Sequence, residues 1–291
     1  MSATQQAEHL PADTTSPLAE TVERINALNT YRTYRMGIPD DTEGWVRLSR
    51  FADAGMLSTW FEALVGQLDD RHAAAVALGR TVVSTVVLPW AFPVLVESRF
   101  PLGSADDTAV HRHAQGWIDA VAYGYERVAV LPDDPAAGWS DVEVVPDREA
   151  LLDALAEKLV EVEPFFAALR SVYRLGWAVL WGELADQVGT AALWLARLMN
   201  RNRWAAWRDA EMIFDRLQIR QAQARVRPRV FPVAWSGGEE LFAVRGTCCL
   251  NYRTVKEPTP EGKEYCTTCP LRSDTWRMPL LQEQLEGKPA T

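Results

Sequence analysis

The sequence has little cysteine: four residues in a chain of 291, with none before position 248. Its first 15 residues also lack the basic start and apolar centre of a secretory signal peptide. Thiols stay reduced in the cytosol, and a chain of this length can build a core without disulfides. We therefore expect a cytoplasmic protein whose cysteines serve another purpose.

Long hydrophobic runs are also scarce. The longest covers residues 81–96, lies between Arg80 and Glu97, and contains Pro89 and Pro93. It is shorter than the roughly 20 apolar residues that a membrane-spanning helix needs. The run therefore predicts a buried core segment, and we expect no membrane span.

Sequence motifs for nucleotides are missing. The chain has neither the Gly-x-Gly-x-x-Gly pattern nor a P-loop, so no nucleotide or flavin site is predicted. Its net charge of −9 and the lack of a recognition motif argue against nucleic acid as a partner. Histidine is rare too, and His111 and His113 have no third metal ligand nearby in sequence, which indicates surface histidines.

What the sequence does contain is one concentration of thiols. Cys248 and Cys249 are adjacent, and Cys266 and Cys269 form a Cys-x-x-Cys knuckle. Two disulfides, a zinc site or an iron–sulfur cluster would each use four cysteines, and the absent signal peptide makes disulfides the weakest of these. Side chains of adjacent residues in an extended segment point to opposite faces, which strains a single tetrahedral zinc site. A two-iron cluster divides its thiolates between two metals. Spacing alone leaves zinc and iron–sulfur almost equally supported.

Charge is divided unevenly along the chain. Acidic residues predominate before Arg197, whereas Lys and Arg predominate after it. Many of the arginines between positions 201 and 220 alternate with acidic residues, as on an exposed helix face. Seven others suggest a positive surface near the thiols: Arg225, Arg227, Arg229, Arg245, Arg253, Arg272 and Arg277.

Helical periodicity dominates the rest of the chain. Apolar spacing predicts helices over residues 43–68, 71–87 and 203–224, and from 147 to about 200 with breaks near Pro164 and Gly176. Ser16, Asp70 and Asp147 are the expected caps of helices. The fold class predicted is α+β, predominantly α-helical: a helical body with small β-hairpins and a C-terminal module that carries the four cysteines.

Strand signals are short. Residues 127–131 and 141–145 predict a small hairpin, residues 116–122 a strand or short helix, and residues 230–235 and 240–245 a second hairpin that leads to Cys248. The expected organisation is a disordered tail (1–16), a helical body with a small β insertion near 126–146 (17–228), the second hairpin with the cysteine-bearing module (229–280), and a final tail (281–291).

The cysteine-bearing stretch resembles the FhuF-like ferric-siderophore reductase family. The likeness rests on about 25 residues: Cys-Cys-Leu-Asn-Tyr-Arg from Cys248, and Cys-Thr-Thr-Cys-Pro-Leu-Arg from Cys266. The segment between Cys249 and Cys266 is longer than is usual in that family, and residues 256–263 within it read as a solvated loop insertion.

The resemblance implies an oxidoreductase that reduces siderophore-bound Fe³⁺ to Fe²⁺ by one electron and so releases iron in the cytoplasm. It implies a [2Fe–2S] cluster on Cys248, Cys249, Cys266 and Cys269, with no catalytic residue beyond the cluster, and so makes the module at 229–280 a C-terminal iron–sulfur cluster module. The expected partners are a ferric siderophore and an electron donor such as a ferredoxin. Candidate substrate-docking residues are Arg245, Arg253, Arg272 and Trp276.

Two other functions remain compatible with the same residues. A structural zinc protein would use the four thiols without redox chemistry. A non-enzymatic iron–sulfur sensor or electron-transfer protein would hold the cluster without reducing ferric chelates.

Overall fold

A computed structural model describes residues 16–28, 31–40, 44–220, 227–254 and 265–287. The side chains of residues 218–220 are not among those described. The expected N-terminal tail up to residue 15, Arg225 and the loop insertion at 256–263 lie outside the described residues.

The described chain is mainly helical. Its α-helices are α1 (Pro17–Ala27), α2 (Ala54–Leu68), α3 (Arg71–Val86), α4 (Phe92–Glu97), α5 (Arg148–Val160), α6 (Glu163–Val172), α7 (Trp177–Leu198), α8 (Arg203–Arg220) and α9 (Asp274–Leu285). Its strands are β1 (Thr33–Met36), β2 (Trp45–Arg47), β3 (Phe100–Pro101), β4 (Thr108–Arg112), β5 (Ile118–Tyr123), β6 (Val128–Val130), β7 (Val142–Val144), β8 (Arg229–Trp235) and β9 (Gly238–Val244). The predicted class, predominantly helical α+β with small hairpins, is confirmed.

The predicted helix starts are also confirmed. Ser16 caps α1 by accepting a hydrogen bond from the backbone N–H of Ala19 at 3.2 Å. Asp70 caps α3 and Asp147 caps α5, each through a carboxylate oxygen 2.8 Å from a backbone nitrogen three residues on. Side-chain oxygens at these positions satisfy N–H groups that have no partner inside the helix.

The helix predicted over 43–68 is wrong in its first part. The structure has strand β2, then a 3₁₀ turn (Leu48–Ala52), and α2 begins only at Ala54, capped by Asp53. β2 pairs antiparallel with β4, so pairing with a distant strand overrides the helical spacing there. Residues 116–122, predicted as strand or short helix, contribute to β5, which joins β4 and β1 in a four-stranded sheet.

The hairpin predicted from residues 127–131 and 141–145 is also wrong. β6 and β7 are parallel, and β3 pairs antiparallel with β6 on its other side. The turn between them therefore serves as a crossover connection rather than a hairpin loop. The second predicted hairpin is confirmed: β8 and β9 pair antiparallel, with Trp235 opposite Gly238.

The long apolar run lies in the core, as predicted. After α3 the chain passes through a π-helical turn (Val87–Ala91), which contains Pro89, and continues into α4. Length and composition would allow Arg71–Glu97 to cross a membrane, but 83% of its most apolar window is buried inside the protein. Packing of this kind is typical of a core helix.

The β8–β9 hairpin joins two hydrophobic clusters through its opposite faces. Leu241 and Ala243 belong to the main core, whereas the alternate residues Phe242 and Val244 pack in a smaller cluster with Leu281 of α9. Leu281 is fully buried and α9 continues to Leu285, so the final tail expected from residue 281 is wrong over that part. The C-terminal helix thus anchors the segment that follows the knuckle.

Candidate functional site

The two cysteine-bearing segments lie side by side. The first leaves β9 at Val244, and the backbone N–H of Arg245 donates to the carbonyl of Thr268, inside the knuckle, at 3.0 Å. This hydrogen bond joins segments more than twenty residues apart in sequence. It fixes Cys248 and Cys249 beside Cys266 and Cys269.

The thiols contact one another as two pairs. Cys249 shares a hydrogen bond with Cys266, and Cys248 shares one with Cys269. All four cysteines are free of disulfides; Cys269 is buried and Cys266 is exposed. The adjacent cysteines thus direct their sulfur atoms to different partners, as the alternation of neighbouring side chains predicts.

The pKa values of the two thiols in one pair, Cys249 and Cys266, shift in opposite directions. The hydrogen bond from Cys266 lowers the pKa of Cys249, and burial opposes this effect. The same hydrogen bond, together with burial, raises the pKa of Cys266. Arg245 acts on both thiols and favours the thiolate in each. A nearby guanidinium is what a site of negatively charged sulfur ligands requires.

The buried side chain of Arg277 holds the backbone of the knuckle in place. This guanidinium is 1% exposed and donates to the carbonyls of Thr267, Cys269 and Arg272 at 3.1, 3.2 and 2.5 Å. The backbone N–H of Cys269 also donates to the carbonyl of Cys266 at 3.0 Å, closing a tight turn. The prediction placed Arg277 on a positive surface; the structure places it under the knuckle as a backbone support.

Two acidic residues of α7 hold the first cysteine segment, and sequence reasoning missed both. Asp186 accepts hydrogen bonds from the backbone N–H groups of Gly246 at 2.6 Å and Thr247 at 3.1 Å. Glu183 forms ion pairs with Arg245 and, at 3.1 Å, with Arg80. Each of these carboxylates is 2% exposed. The sequence feature that could have identified them is the presence of acidic residues within the apolar stretch of α7. Buried carboxylates require partners, so such residues indicate a polar network in the core.

Burial governs the ionisation of this network. It raises the pKa of Asp186 to about 6, although Arg245 and the hydrogen bonds from Thr247 and Gly246 act in the opposite direction. Burial acts to lower the pKa of Arg245, but Glu183 and Asp186 outweigh it and the pKa is raised. Arg245 therefore remains a cation beside the thiols.

The other predicted docking residues lie around the knuckle or away from it. Arg272 lies over the rings of Trp276 and Tyr265 and donates to the Tyr265 carbonyl at 3.0 Å. Arg253 pairs with Asp70 at the start of α3, at 2.7 Å. Of the four candidates, Arg245 is the one that the structure places against the thiols.

Only some of the arginines predicted to form a positive surface lie near the thiols. Arg227 pairs with Asp215 at 2.7 Å, and Arg229 pairs with Asp274. These ion pairs are largely solvent-exposed and neutralise the two arginines locally. In their place the structure brings Arg80 of α3 close enough to Cys249 to lower its pKa.

A cavity of about 460 Å³ adjoins this network. It lies between α3 with its π-helical turn on one side and α7 on the other. Its lining consists of Tyr31, Arg32, Arg80, Ser84, Val87, Leu88, Phe92, Glu183, Asp186, Gln187, Thr190, Ala191, Trp194 and Arg245. No pattern in the sequence indicates this cavity, since its lining residues come from segments far apart in the chain.

The donor set fits a sulfur-bound metal group in its chemistry. Four thiols converge from two segments, and a guanidinium lies beside them. Within the described ranges, no group of three or more His, Cys, Asp or Glu residues is arranged to enclose a metal ion. Cys248, Cys249, Cys266 and Cys269 are the residues that would hold a cluster or a zinc ion.

The two histidines singled out in the sequence lie elsewhere. His111 on β4 contacts Asp119 of β5 at 2.6 Å, and the ring of His113 stacks on that of Trp117 at 4.1 Å between centroids. Both are thus engaged in contacts within or beside the four-stranded sheet.

Comparisons with known proteins add no family assignment. Neither the family models nor the curated proteins with which the chain was compared give a match. The likeness to ferric-siderophore reductases thus rests on the cysteine-bearing stretch alone.

Proposed function

We propose that this protein is a cytoplasmic ferric-siderophore reductase with a [2Fe–2S] cluster on Cys248, Cys249, Cys266 and Cys269. The observation that carries the proposal is the meeting of an adjacent Cys-Cys pair with a Cys-x-x-Cys knuckle. When bound, such a cluster supplies one electron to the ferric ion of the substrate.

The two-plus-two arrangement of thiols favours a cluster over zinc. Each segment contributes one thiol to each pair, and a cluster likewise divides four thiolates between two metals. A structural zinc ion needs all four sulfur atoms at about 2.3 Å from a single centre. Adjacent cysteines that diverge toward different partners suit the first arrangement better.

Arg245 is suited to support negative charge at the thiolates. Its side chain is held by Glu183 and Asp186 on one side and interacts with Cys249 and Cys266 on the other. A fixed cation stabilises the more negative state of a neighbouring group. We propose that Arg245 makes acceptance of an electron at this site easier.

The substrate chemistry needs no general acid or base. A ferric siderophore holds Fe³⁺ through hard oxygen ligands, and one added electron gives Fe²⁺, which accepts softer ligands and is held less tightly by oxygen. The electron enters the protein from a donor such as a ferredoxin and leaves on the iron of the substrate. The fold thus has to hold the thiols and bring the chelate near them.

The test is an anaerobic purification with iron, acid-labile sulfide and zinc counted per chain. We expect about two irons and two sulfides per chain and a visible absorption spectrum that bleaches on reduction. Addition of a ferric chelate to the reduced protein should restore the colour and release Fe²⁺. Cys266→Ser should abolish the spectrum, whereas the control Thr268→Ser, in the same knuckle, should keep it.

Each alternative gives a distinct result. A colourless protein with one zinc ion and no sulfide would overturn the proposal in favour of a structural zinc site. A coloured protein that stays reduced when ferric chelates are added would be a sensor or an electron carrier. A fully coloured and active Cys266→Ser variant would contradict the ligand assignment.

A further inference from the structure

We propose that the metal-free protein forms two disulfides that join the two cysteine-bearing segments, one between Cys249 and Cys266 and one between Cys248 and Cys269. This gives the four cysteines a second chemistry, thiol oxidation, with a defined pairing. The inference holds for an iron–sulfur protein and for a zinc protein alike, so it does not depend on the proposed function. Cytosolic disulfides of this kind are transient and redox-sensing rather than structural.

The pairing follows from which thiols contact each other. Cys249 shares a hydrogen bond with Cys266, and Cys248 shares one with Cys269. Four cysteines allow three ways of forming two disulfides, and these contacts select one of the three. Thiols that are already in contact need only a short approach of their sulfur atoms to reach the bond length of about 2.05 Å.

Contacts on both sides of the thiols keep the two segments together. On one side, the backbone N–H of Arg245 donates to the carbonyl of Thr268 at 3.0 Å. On the other side, the rings of Tyr252 and Tyr265 lie 4.7 Å apart between centroids. These contacts do not involve the sulfur atoms, so they hold each thiol near its partner independently of any metal.

The main alternative is a disulfide inside the knuckle, between Cys266 and Cys269. Cys-x-x-Cys motifs of thiol oxidoreductases form bonds of this kind. Here the backbone N–H of Cys269 donates to the carbonyl of Cys266 at 3.0 Å, whereas the sulfur atom of each residue contacts a cysteine of the other segment. The geometry therefore favours disulfides between the segments over a disulfide within the knuckle.

Exposure sets the order in which the two pairs react. Cys266 is exposed, whereas Cys269 is only 1% exposed. An oxidant in solution reaches the other pair only through Cys248, which is partly buried. The pair of Cys249 and Cys266 therefore reacts first, and the pair of Cys248 and Cys269 follows more slowly.

The oxidant is a small disulfide such as oxidised glutathione. One cysteine of a pair attacks a sulfur atom of this disulfide, so that a mixed disulfide forms and one glutathione leaves. The second cysteine then displaces the other glutathione and closes the protein disulfide. Each departing glutathione takes up the proton that a cysteine has lost. Two protein thiols are thus oxidised, and one small disulfide is reduced to two thiols.

Oxidation closes the metal site. Thiolates are the form in which cysteine binds metals, and each protein disulfide removes two of them. A bound metal group likewise occupies the sulfur atoms that the oxidant must reach. Oxidation and metal binding therefore exclude each other, and a reductant must restore the thiols before the protein can be loaded.

A peptide map of the oxidised full-length protein tests the pairing. The protein is freed of metal with a chelator, reduced, and then treated with oxidised glutathione. Trypsin releases residues 246–253 and residues 264–272 as separate peptides, each with two cysteines. Mass spectrometry without reductant should find these peptides joined, first by one disulfide and later by two. Separate peptides, each with an internal disulfide, would overturn the proposal.

Double variants that keep two thiols show which sulfur atoms pair. Cys248→Ser with Cys269→Ser keeps the proposed pair of Cys249 and Cys266. Cys249→Ser with Cys269→Ser is the matched control: it also keeps one thiol in each segment, but Cys248 and Cys266 belong to different pairs. We expect the first variant to form its disulfide at least about tenfold faster than the control. The control should instead accumulate mixed disulfides with glutathione.

A second set of variants tests the buried pair. Cys249→Ser with Cys266→Ser keeps Cys248 and Cys269, and its control, Cys248→Ser with Cys266→Ser, keeps Cys249 and Cys269. We expect the first to form its disulfide about tenfold more slowly than the exposed pair does, yet faster than its own control. Circular dichroism establishes that each variant keeps the helical fold. If one variant unfolds, the peptide map of the unmodified protein still decides between bonds across the segments and bonds within them.

The outcomes separate this inference from the proposed function. Equal rates in the proposed pairs and in their controls would overturn the pairing, and faster oxidation of the buried pair would overturn the order. The metal content of the purified protein bears on neither result. A protein that holds only zinc, and that after removal of zinc oxidises in the proposed pairs, would uphold this inference and refute the reductase.

Discussion

Oδ2 of Asp186 accepts two hydrogen bonds from Thr247, one from the backbone N–H at 3.1 Å and one from the hydroxyl at 2.5 Å. Thr247 immediately precedes Cys248, so a carboxylate of α7 determines where the first cysteine segment lies. Asp186 is a positioning residue, and its removal has consequences for stability.

Asp186→Ala should lower the free energy of unfolding by about 2–4 kcal/mol, because it leaves buried N–H and hydroxyl donors without an acceptor and Arg245 with less compensation. Urea denaturation measures the change. Asp106→Ala, at an exposed position, is the control and should stay within about 0.5 kcal/mol. A loss of similar size in both variants would contradict the anchoring role.

The pH dependence of stability should also carry a contribution from Asp186. Its pKa is raised from 3.8 to about 6, so between these values the folded state binds more protons than the unfolded state. The contribution of Asp186 to the free energy of unfolding therefore falls by about 3 kcal/mol as the pH rises from about 4 to about 6. Above this range the contribution is constant.

The comparison with Asp186→Asn isolates this contribution, since the other carboxylates titrate in both proteins. The difference in unfolding free energy, unmodified protein minus variant, should decrease from about pH 4 to about pH 6. A difference that is constant or increases over this range would show that burial does not raise the pKa.

Arg277→Met should loosen the knuckle. The variant keeps most of the side-chain volume but leaves the carbonyls of Thr267, Cys269 and Arg272 without their donor. We expect a loss of about 3–5 kcal/mol in unfolding free energy and reduced retention of metal after gel filtration. Arg229→Met is the matched control: Arg229 also pairs with Asp274 but is half-exposed, and its loss should cost less than about 1 kcal/mol. Full metal retention in Arg277→Met would contradict the supporting role.

Gly246→Ala should also destabilise the site. A Cβ at this position would lie 2.7 Å from the carbonyl carbon and 2.8 Å from the carbonyl oxygen of Arg227, so one backbone segment must move. We expect a loss of about 1–3 kcal/mol, measured by denaturation. Gly66→Ala makes the same substitution where nothing lies within 4 Å, inside α2, and should stabilise by about 0.5–1 kcal/mol. Equal effects of the two would exclude close approach as the cause.

Local features were predictable from the sequence because their partners are near in the chain. Ser16 and Asp147 cap helices through residues three positions away, and the turn at Gly238 specifies the β8–β9 hairpin. Features set by distant partners were not predictable. The parallel pairing of β6 with β7 involves a third strand, β3, and Pro279 inside α9 obscured a helix that packing of Leu281 stabilises.

In the candidate site, too, local features were predictable from the sequence and contacts between distant residues were not. Spacing identified the four cysteines as one set, since adjacent pairs and knuckles are recognisable in sequence. The residues that position them are Asp186, which lies 60 positions before Gly246, and Arg277, which resembled a surface arginine. A single sequence does not reveal contacts at such separations.

Glu183 is held from two directions, by Arg80 of α3 and by Arg245 beside the thiols. A movement of Arg80 away from Glu183 would therefore change the charge that surrounds Arg245. Coupling of this kind is reciprocal: a change of charge at the thiols that moves Arg245 also changes the interaction of Glu183 with Arg80. In the proposed reductase, one buried carboxylate would thus transmit a change of charge at the thiols to α3.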